Sequence, residues 1–172
     1  GATFAGLSSD ARILVDRARQ EAQINRLLYD ELIDVEVLTK KVSEVTQLYT
    51  QHAGVRPFGV ALLIAGTDKF GPRLLMTEPS GAYAGYFAVA IGSGSQSVTE
   101  FFEKNYSPDL TIEKGITLAL RALANVVEGG LDPARIEMAI VRTAVGKFES
   151  LPVNELTSYI DQLKAAKDAQ RG

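Results

Sequence analysis

Cysteine is absent from the sequence. Disulfide bonds, thiolate metal sites and cysteine nucleophiles are therefore excluded. Histidine occurs once, at His52, and a single imidazole without thiols does not make a usual zinc site. A carboxylate-only site stays open, but no pattern in the sequence indicates one, and we expect no metal, no cofactor and no catalytic residue in this chain. His52 is expected to end a helix instead.

Strong net charge and long apolar runs are also lacking. Lys and Arg number 18 and Asp and Glu number 21, which gives a formal net charge of −3. This mild balance gives no reason to expect nucleic acid or an anionic membrane as a partner. No run approaches the ~18 consecutive apolar residues of a membrane-spanning helix. The expected location is the cytoplasm.

The composition that remains is typical of a globular protein. Hydrophobic residues make up 46% of the 172 positions and charged residues 23%, which favours a single domain over residues 1–172. The uninterrupted apolar run Val60–Ala65 indicates a buried strand around which the chain is organised. The loop Arg56–Gly59 precedes it, and Pro57 keeps Arg56 out of helical geometry.

Hydrophobic periodicity predicts an α+β chain with helices covering stacked antiparallel sheets. Strands are predicted at Ala2–Ala5, Gly59–Thr67, Arg73–Thr77, Tyr83–Ile91, Arg135–Thr143 and Lys147–Ser150. Helices are predicted at Ser8–Tyr29, Asp34–Tyr49, Gln96–Asn105 and Thr111–Glu128, with a last helix beginning at Asn154.

Three patterns could carry chemistry, and none of them is complete. Gly92–Ser95 joins a predicted strand to a helix and could bind phosphate, but it lacks the lysine and threonine of a P-loop, so a tight turn is favoured. The first helix interleaves acidic and basic residues, which is typical of a solvated or interface surface. An N-terminal nucleophile needs a Thr, Ser or Cys at an exposed chain end, whereas Thr3 is internal and the first lysine is Lys40.

Four stretches, in this order, resemble the α-type subunits of the archaeal 20S proteasome. They are Ala5–Arg12 (AGLSSDAR), Gln47–Gln51 (QLYTQ) running into Gly54–Val60 (GVRPFGV), Ala90–Gly94 (AIGSG) and Val98–Tyr106 (VTEFFEKNY). The similarity covers nearly the whole chain. The arginine-proline-aromatic-glycine loop is typical of α subunits, so this interpretation ranks above the alternative, a catalytic β-type threonine protease subunit.

The resemblance implies a fold and a function. The fold is the four-layer αββα sandwich of the N-terminal nucleophile hydrolases. The function is that of a non-catalytic subunit in a homo-oligomeric ring of seven, which caps the proteolytic β rings, gates substrate entry and docks ATPase activators. In the family the first two helices of this chain sit toward the β ring.

The resemblance also implies site residues. Gly6 and Leu7 correspond to the edge of the activator pocket. The expected subunit interface is Arg12, Asp16, Arg19, Arg56 and Phe58.

Compared with the family, roughly seventy residues are expected to precede Thr3, although the length of the sequence alone favours one complete domain. They hold the gating tail, the first helix and the first strands. A sheet without those strands exposes unpaired edges, so we expect the missing part to belong to the same chain, to be cleaved but retained, or to be supplied by another chain.

Overall fold

The computed structural model describes residues 1–169, and positions 170–172 of the predicted domain lie outside the described residues. Backbone contacts divide the chain into two compact units, Gly1–Ser93 and Gly94–Gly172. The single domain over residues 1–172 stays a prediction. Through residue 169, no helix combines the length and apolarity needed to cross a bilayer.

Unit 1 is an antiparallel sheet with two helices. Its elements are β1 (Ala2–Gly6), α1 (Ser8–Tyr29), α2 (Val35–Gln51), β2 (Val60–Asp68), β3 (Gly71–Thr77) and β4 (Tyr83–Gly85). The strand order is β1-β2-β3-β4, with Phe4 opposite Leu62 and Leu62 opposite Thr77. The apolar run that the sequence singled out is therefore an interior strand, as predicted.

One face of β2 supplies the core of unit 1. Val60, Leu62 and Ile64 are buried, while the residues between them are half-buried, because side chains alternate between the two faces of a strand. The buried face packs against Leu14 of α1 and Val42 of α2. The described core of unit 1 comprises Ala11, Leu14, Val35, Val42, Phe58, Val60, Leu62, Ile64 and Leu75.

Unit 2 has three helices, a short 3-10 turn and a two-stranded antiparallel sheet among its described residues. Its elements are α3 (Ser95–Asn105), α4 (Ile112–Ala124), the 3-10 turn Pro133–Arg135, β5 (Ala139–Val141), β6 (Phe148–Ser150) and α5 (Val153–Ala169). Its core joins α4 to α5 through Ile116, Leu120, Leu156 and Ile160. The Thr111 hydroxyl accepts a hydrogen bond from the Lys114 amide and so caps α4, which begins where the sequence predicts a helix start.

Three element predictions were wrong in their extent. The strand predicted at Tyr83–Ile91 ends at Gly85, since only its first part finds a ladder partner, on β3. The helix predicted to reach Glu128 ends at Ala124, where the Asn125 amide bonds back to the carbonyl oxygens of Ala122 and Leu123. The strand predicted at Arg135–Thr143 shrinks to Ala139–Val141 because Pro133–Arg135 forms a 3-10 turn.

The cores predict a contrast between two helical leucines. Leu120→Ala should lower the free energy of unfolding by about 2–5 kcal/mol, because Leu120 is fully buried and its removal leaves a cavity. Leu27→Ala should change it by less than ~0.5 kcal/mol, because Leu27 is 85% exposed. Chemical denaturation of both variants measures the difference, and equal losses would contradict the assigned core.

Candidate functional site

The loop Arg56–Gly59 is tied to the start of α1 by a buried carboxylate. Asp10, 5% exposed, accepts hydrogen bonds at Oδ2 and Oδ1 from the two terminal nitrogens of Arg56, at 2.6 and 2.9 Å. Its Oδ2 also accepts from the Gly59 amide at 2.9 Å. We call these three residues the Asp10 clamp. A planar guanidinium suits such two-point binding of a carboxylate.

The clamp lies beside a corner where two stretches of backbone touch. The Leu7 amide donates to the Gly59 carbonyl oxygen at 2.9 Å. Gly6 has φ of +124°, and a Cβ at that position would stand 2.2 Å from the Gly59 oxygen. The corner therefore needs glycine at position 6, both for its backbone angle and for its closeness to the loop.

Phe58 anchors the same loop from inside. Its side chain is 6% exposed, and its ring meets Tyr49 of α2 edge-on at a centroid distance of 4.8 Å. An interface role for Phe58 and Arg56 stays a prediction. The structure places the Phe58 ring in the core of unit 1 and leaves 62% of the Arg56 side chain exposed.

Hydrogen bonding governs the protonation of the clamp. The Arg56 hydrogen bond, followed by the one from the Gly59 amide, lowers the pKa of Asp10 from 3.8 to about 2, although burial acts in the opposite direction. The same bond raises the pKa of Arg56. The pair is therefore fully ionised near neutral pH.

The predicted interface residues of α1 lie on its exposed side. Arg12, Asp16 and Arg19 are all exposed, and Arg19 donates to Asp16 at 2.9 Å one turn away. Surface pairs of this kind contribute little to stability. These side chains are therefore available to a partner, and their role in an interface stays a prediction.

Glu21 is a second buried carboxylate, which the mixed charges of the first helix did not reveal. Glu21 is 5% exposed and pairs with Arg17 at 2.6 Å and with Lys41 of α2 at 2.7 Å. The Lys41 hydrogen bond, more than the charge of Arg17, lowers the pKa of Glu21. The sequence did contain a pattern that indicates this burial. Asp10, Leu14 and Glu21 recur at helical spacing and so share one face of α1.

The last turn of α1 and the connection to α2 carry exposed apolar side chains. Leu27, Leu28, Tyr29 and Leu32, here called the tip cluster, are 85%, 68%, 67% and 72% exposed. Asp30, in left-handed geometry at φ +53°, ends α1 between them. Contiguous exposed apolar groups of this kind mark contact surfaces.

A family model described as "Proteasome subunit" matches residues 1–141, more than half of the chain. The chain belongs to the proteasome subunit family. This confirms the resemblance and the α+β fold class drawn from the sequence. Both units of this proteasome-family chain combine helices with antiparallel strands, as that fold requires.

Curated relatives agree with the family assignment. The chain is 51% identical over 166 residues to the "Proteasome subunit alpha" of Sulfurisphaera tokodaii, covering 95% of this chain and 69% of that one. It is 51% identical to the protein of the same name from Saccharolobus islandicus strain L.S.2.15 and 50% identical to that of Saccharolobus solfataricus, in both cases covering 95% of this chain and 68% of the relative.

The remaining sequence candidates have structural roles in this proteasome-family chain. His52 is the C-cap of α2, with its Nδ1 2.8 Å from the Leu48 carbonyl oxygen, as expected. Gly94 starts α3 at φ +79°, and a Cβ there would meet Val126 at 3.1 Å. In the part of the chain that the structure describes, no group of three His, Cys, Asp or Glu residues is placed to hold a metal ion.

The clamp predicts an acid-sensitive contribution to stability. Because the folded pKa of Asp10 is depressed, the contribution is fully present above pH 3.8 and disappears as pH falls toward about 2. Asp10→Asn should unfold at a lower temperature than the parent near pH 6, and the gap should narrow below pH 4. Thermal unfolding against pH measures it. Asp16→Asn, on the exposed side of the same helix, is the control with a change under ~0.5 kcal/mol.

A side chain at Gly6 should clash with the neighbouring backbone and lower the stability of the fold, whereas a side chain at a matched glycine should not clash. Gly6 and Gly54 both have positive φ, but a Cβ at Gly54 meets nothing within 4 Å. Gly6→Ala should therefore lower the free energy of unfolding by about 1–3 kcal/mol more than Gly54→Ala. Equal losses in chemical denaturation would show that the backbone angle alone matters.

Proposed function

We propose that this chain is a non-catalytic α subunit of the 20S proteasome core particle, working in the degradation of proteins in the cytoplasm. The observation that carries the proposal is the 51% identity across 95% of the chain to a protein named proteasome subunit alpha. In this function the chain forms a ring of seven copies that scaffolds the β rings, gates substrate entry and docks an ATPase activator.

Thr3 itself is not placed to act as an N-terminal nucleophile. Thr3 is a mid-strand residue of β1 and pairs with Leu63 of β2. A threonine nucleophile needs its own free amine as base, and the Thr3 nitrogen is a peptide amide. A β-type subunit is the competing function. Labelling of the purified protein by a covalent threonine-directed inhibitor would favour that alternative, and we expect none.

The tip cluster supports an assembly role. It places four large apolar side chains, three of them consecutive, in the last turn of α1 and the connection to α2. The central part of a protein interface is apolar and poor in charge, so a neighbouring subunit is the natural cover. Since the family resemblance directs these two helices toward the β ring, we assign the tip cluster to the contact with β subunits.

The exposed charges of α1 fit contacts within the α ring. Arg12 and Arg19 present positive charge on the same helix as Asp16. Charges of both signs across an interface fix its register and exclude wrong partners more than they raise affinity. Leu7, 50% exposed, is the proposed edge of the activator pocket, whereas gating rests on the family resemblance alone.

Native mass spectrometry of the purified protein is the decisive experiment. We expect a ring of seven copies, alone or stacked on β rings. A folded and soluble single chain would overturn the proposal.

The tip cluster gives a second prediction. Leu27→Glu together with Leu28→Glu should prevent association with β subunits while leaving the thermal unfolding of the chain nearly unchanged, because both side chains are already exposed. The control is Val145→Glu, an exposed apolar position of unit 2 at 65% exposure. Co-purification with β subunits measures the effect, and equal behaviour of the two variants would remove the tip cluster from the interface.

A further inference from the structure

Leu7 has to be held in place if it is to form a docking edge. Its side chain is half exposed, and the residue caps α1 through its backbone, without a side-chain hydrogen bond. Packing against the exposed side of Leu7 therefore does little to fix the position of this residue. What holds it is the backbone of the neighbouring loop.

Gly59 is hydrogen-bonded to the start of α1 through both its carbonyl oxygen and its amide. Its carbonyl oxygen accepts from the Leu7 amide at 2.9 Å, and its amide donates to Asp10 at 2.9 Å. A Cβ on Gly59 would stand 2.9 Å from Leu7 Cδ1, so the Leu7 side chain lies directly over the Gly59 backbone. Leu7, Asp10 and Gly59 thus form a closed set of contacts.

Arg56 binds the Asp10 carboxylate from the solvent side of these contacts. Asp10 is an ionised carboxylate at 5% exposure, and a buried charge of this kind needs a counterion to stay where it is. Arg56 bonds to both carboxylate oxygens and also to the Pro57 carbonyl oxygen at 3.0 Å. The arginine therefore fixes its own loop and the first turn of α1 together.

We propose that Arg56, acting through Asp10, is a positioning residue that sets the orientation of Leu7 at the activator-docking edge. The statement rests on the proposed docking function for its consequence, and on the contacts above for its mechanism. Loss of the guanidinium frees the loop, weakens the Leu7–Gly59 hydrogen bond and loosens the docking edge without removing any docking side chain.

Amide hydrogen exchange of the full-length subunit tests the mechanism. In Arg56→Met the Leu7 amide should exchange roughly tenfold faster, the change that loss of a charge-assisted hydrogen bond brings. The amides of β2, including that of Leu62, should keep their parent rates. Arg56→Lys, which keeps the charge but not the two-point geometry, should fall between the two. Arg19→Met, which breaks an exposed pair of the same helix, should leave Leu7 unchanged.

An unchanged Leu7 rate in Arg56→Met, or equal acceleration at every amide, would overturn the proposal. The second pattern would mean that Arg56 only stabilises the fold.

A double-mutant cycle in the assembled complex tests the consequence, with the intact ATPase activator ring as probe. Arg56→Met should weaken activator binding roughly tenfold in the parent background and have no further effect in Leu7→Ala, since residues that act as a unit are not additive. An equal loss in both backgrounds would show that Arg56 does not act through Leu7. If Leu7→Ala itself leaves binding unchanged, the docking function fails, while the exchange rates still decide the positioning role.

Discussion

The buried carboxylate of Asp10 is the constraint on which unit 1 depends. Removing a charge from water is unfavourable unless it finds a counterion and hydrogen-bond donors. Arg56 and the Gly59 amide meet both needs, and they come from a loop 46 residues or more along the chain. One interaction therefore fixes three things: the direction in which α1 leaves β1, the path of the loop into β2, and the place of Leu7 between them.

Glu21, further along α1, is a second buried carboxylate that is stabilised by a cation from another element. Its carboxylate joins α1 to α2 through Lys41, while Leu14 lies between the two acidic groups on the same helical face. A face that carries charge, apolar bulk and charge again offers its partner fewer alternative alignments than a purely apolar face. The apolar contacts supply most of the driving force, and the two carboxylates specify the alignment of α1.

Much of the fold could be predicted from the sequence because its hydrophobic periodicity and its capping and turn residues were clear. The run Val60–Ala65 predicted an interior strand, and Thr111 predicted a helix start. Where the sequence failed, tertiary partners decided. A continuous apolar run such as Tyr83–Ile91 suits many extended segments, and only a ladder partner makes it a strand. The burial of Asp10 and Glu21 could not be predicted, because helix propensity and charge pattern do not show which distant cation will pair with a carboxylate.

The tip cluster has a consequence for the life of the newly made chain. In the unassembled chain, Leu27, Leu28, Tyr29 and Leu32 expose apolar surface to other proteins in the cell. Unassembled copies are then prone to aggregation, which increases with their concentration. Balanced synthesis of subunits, or temporary shielding by a chaperone, would keep that concentration low, so the timing of assembly bears on the solubility of the free chain.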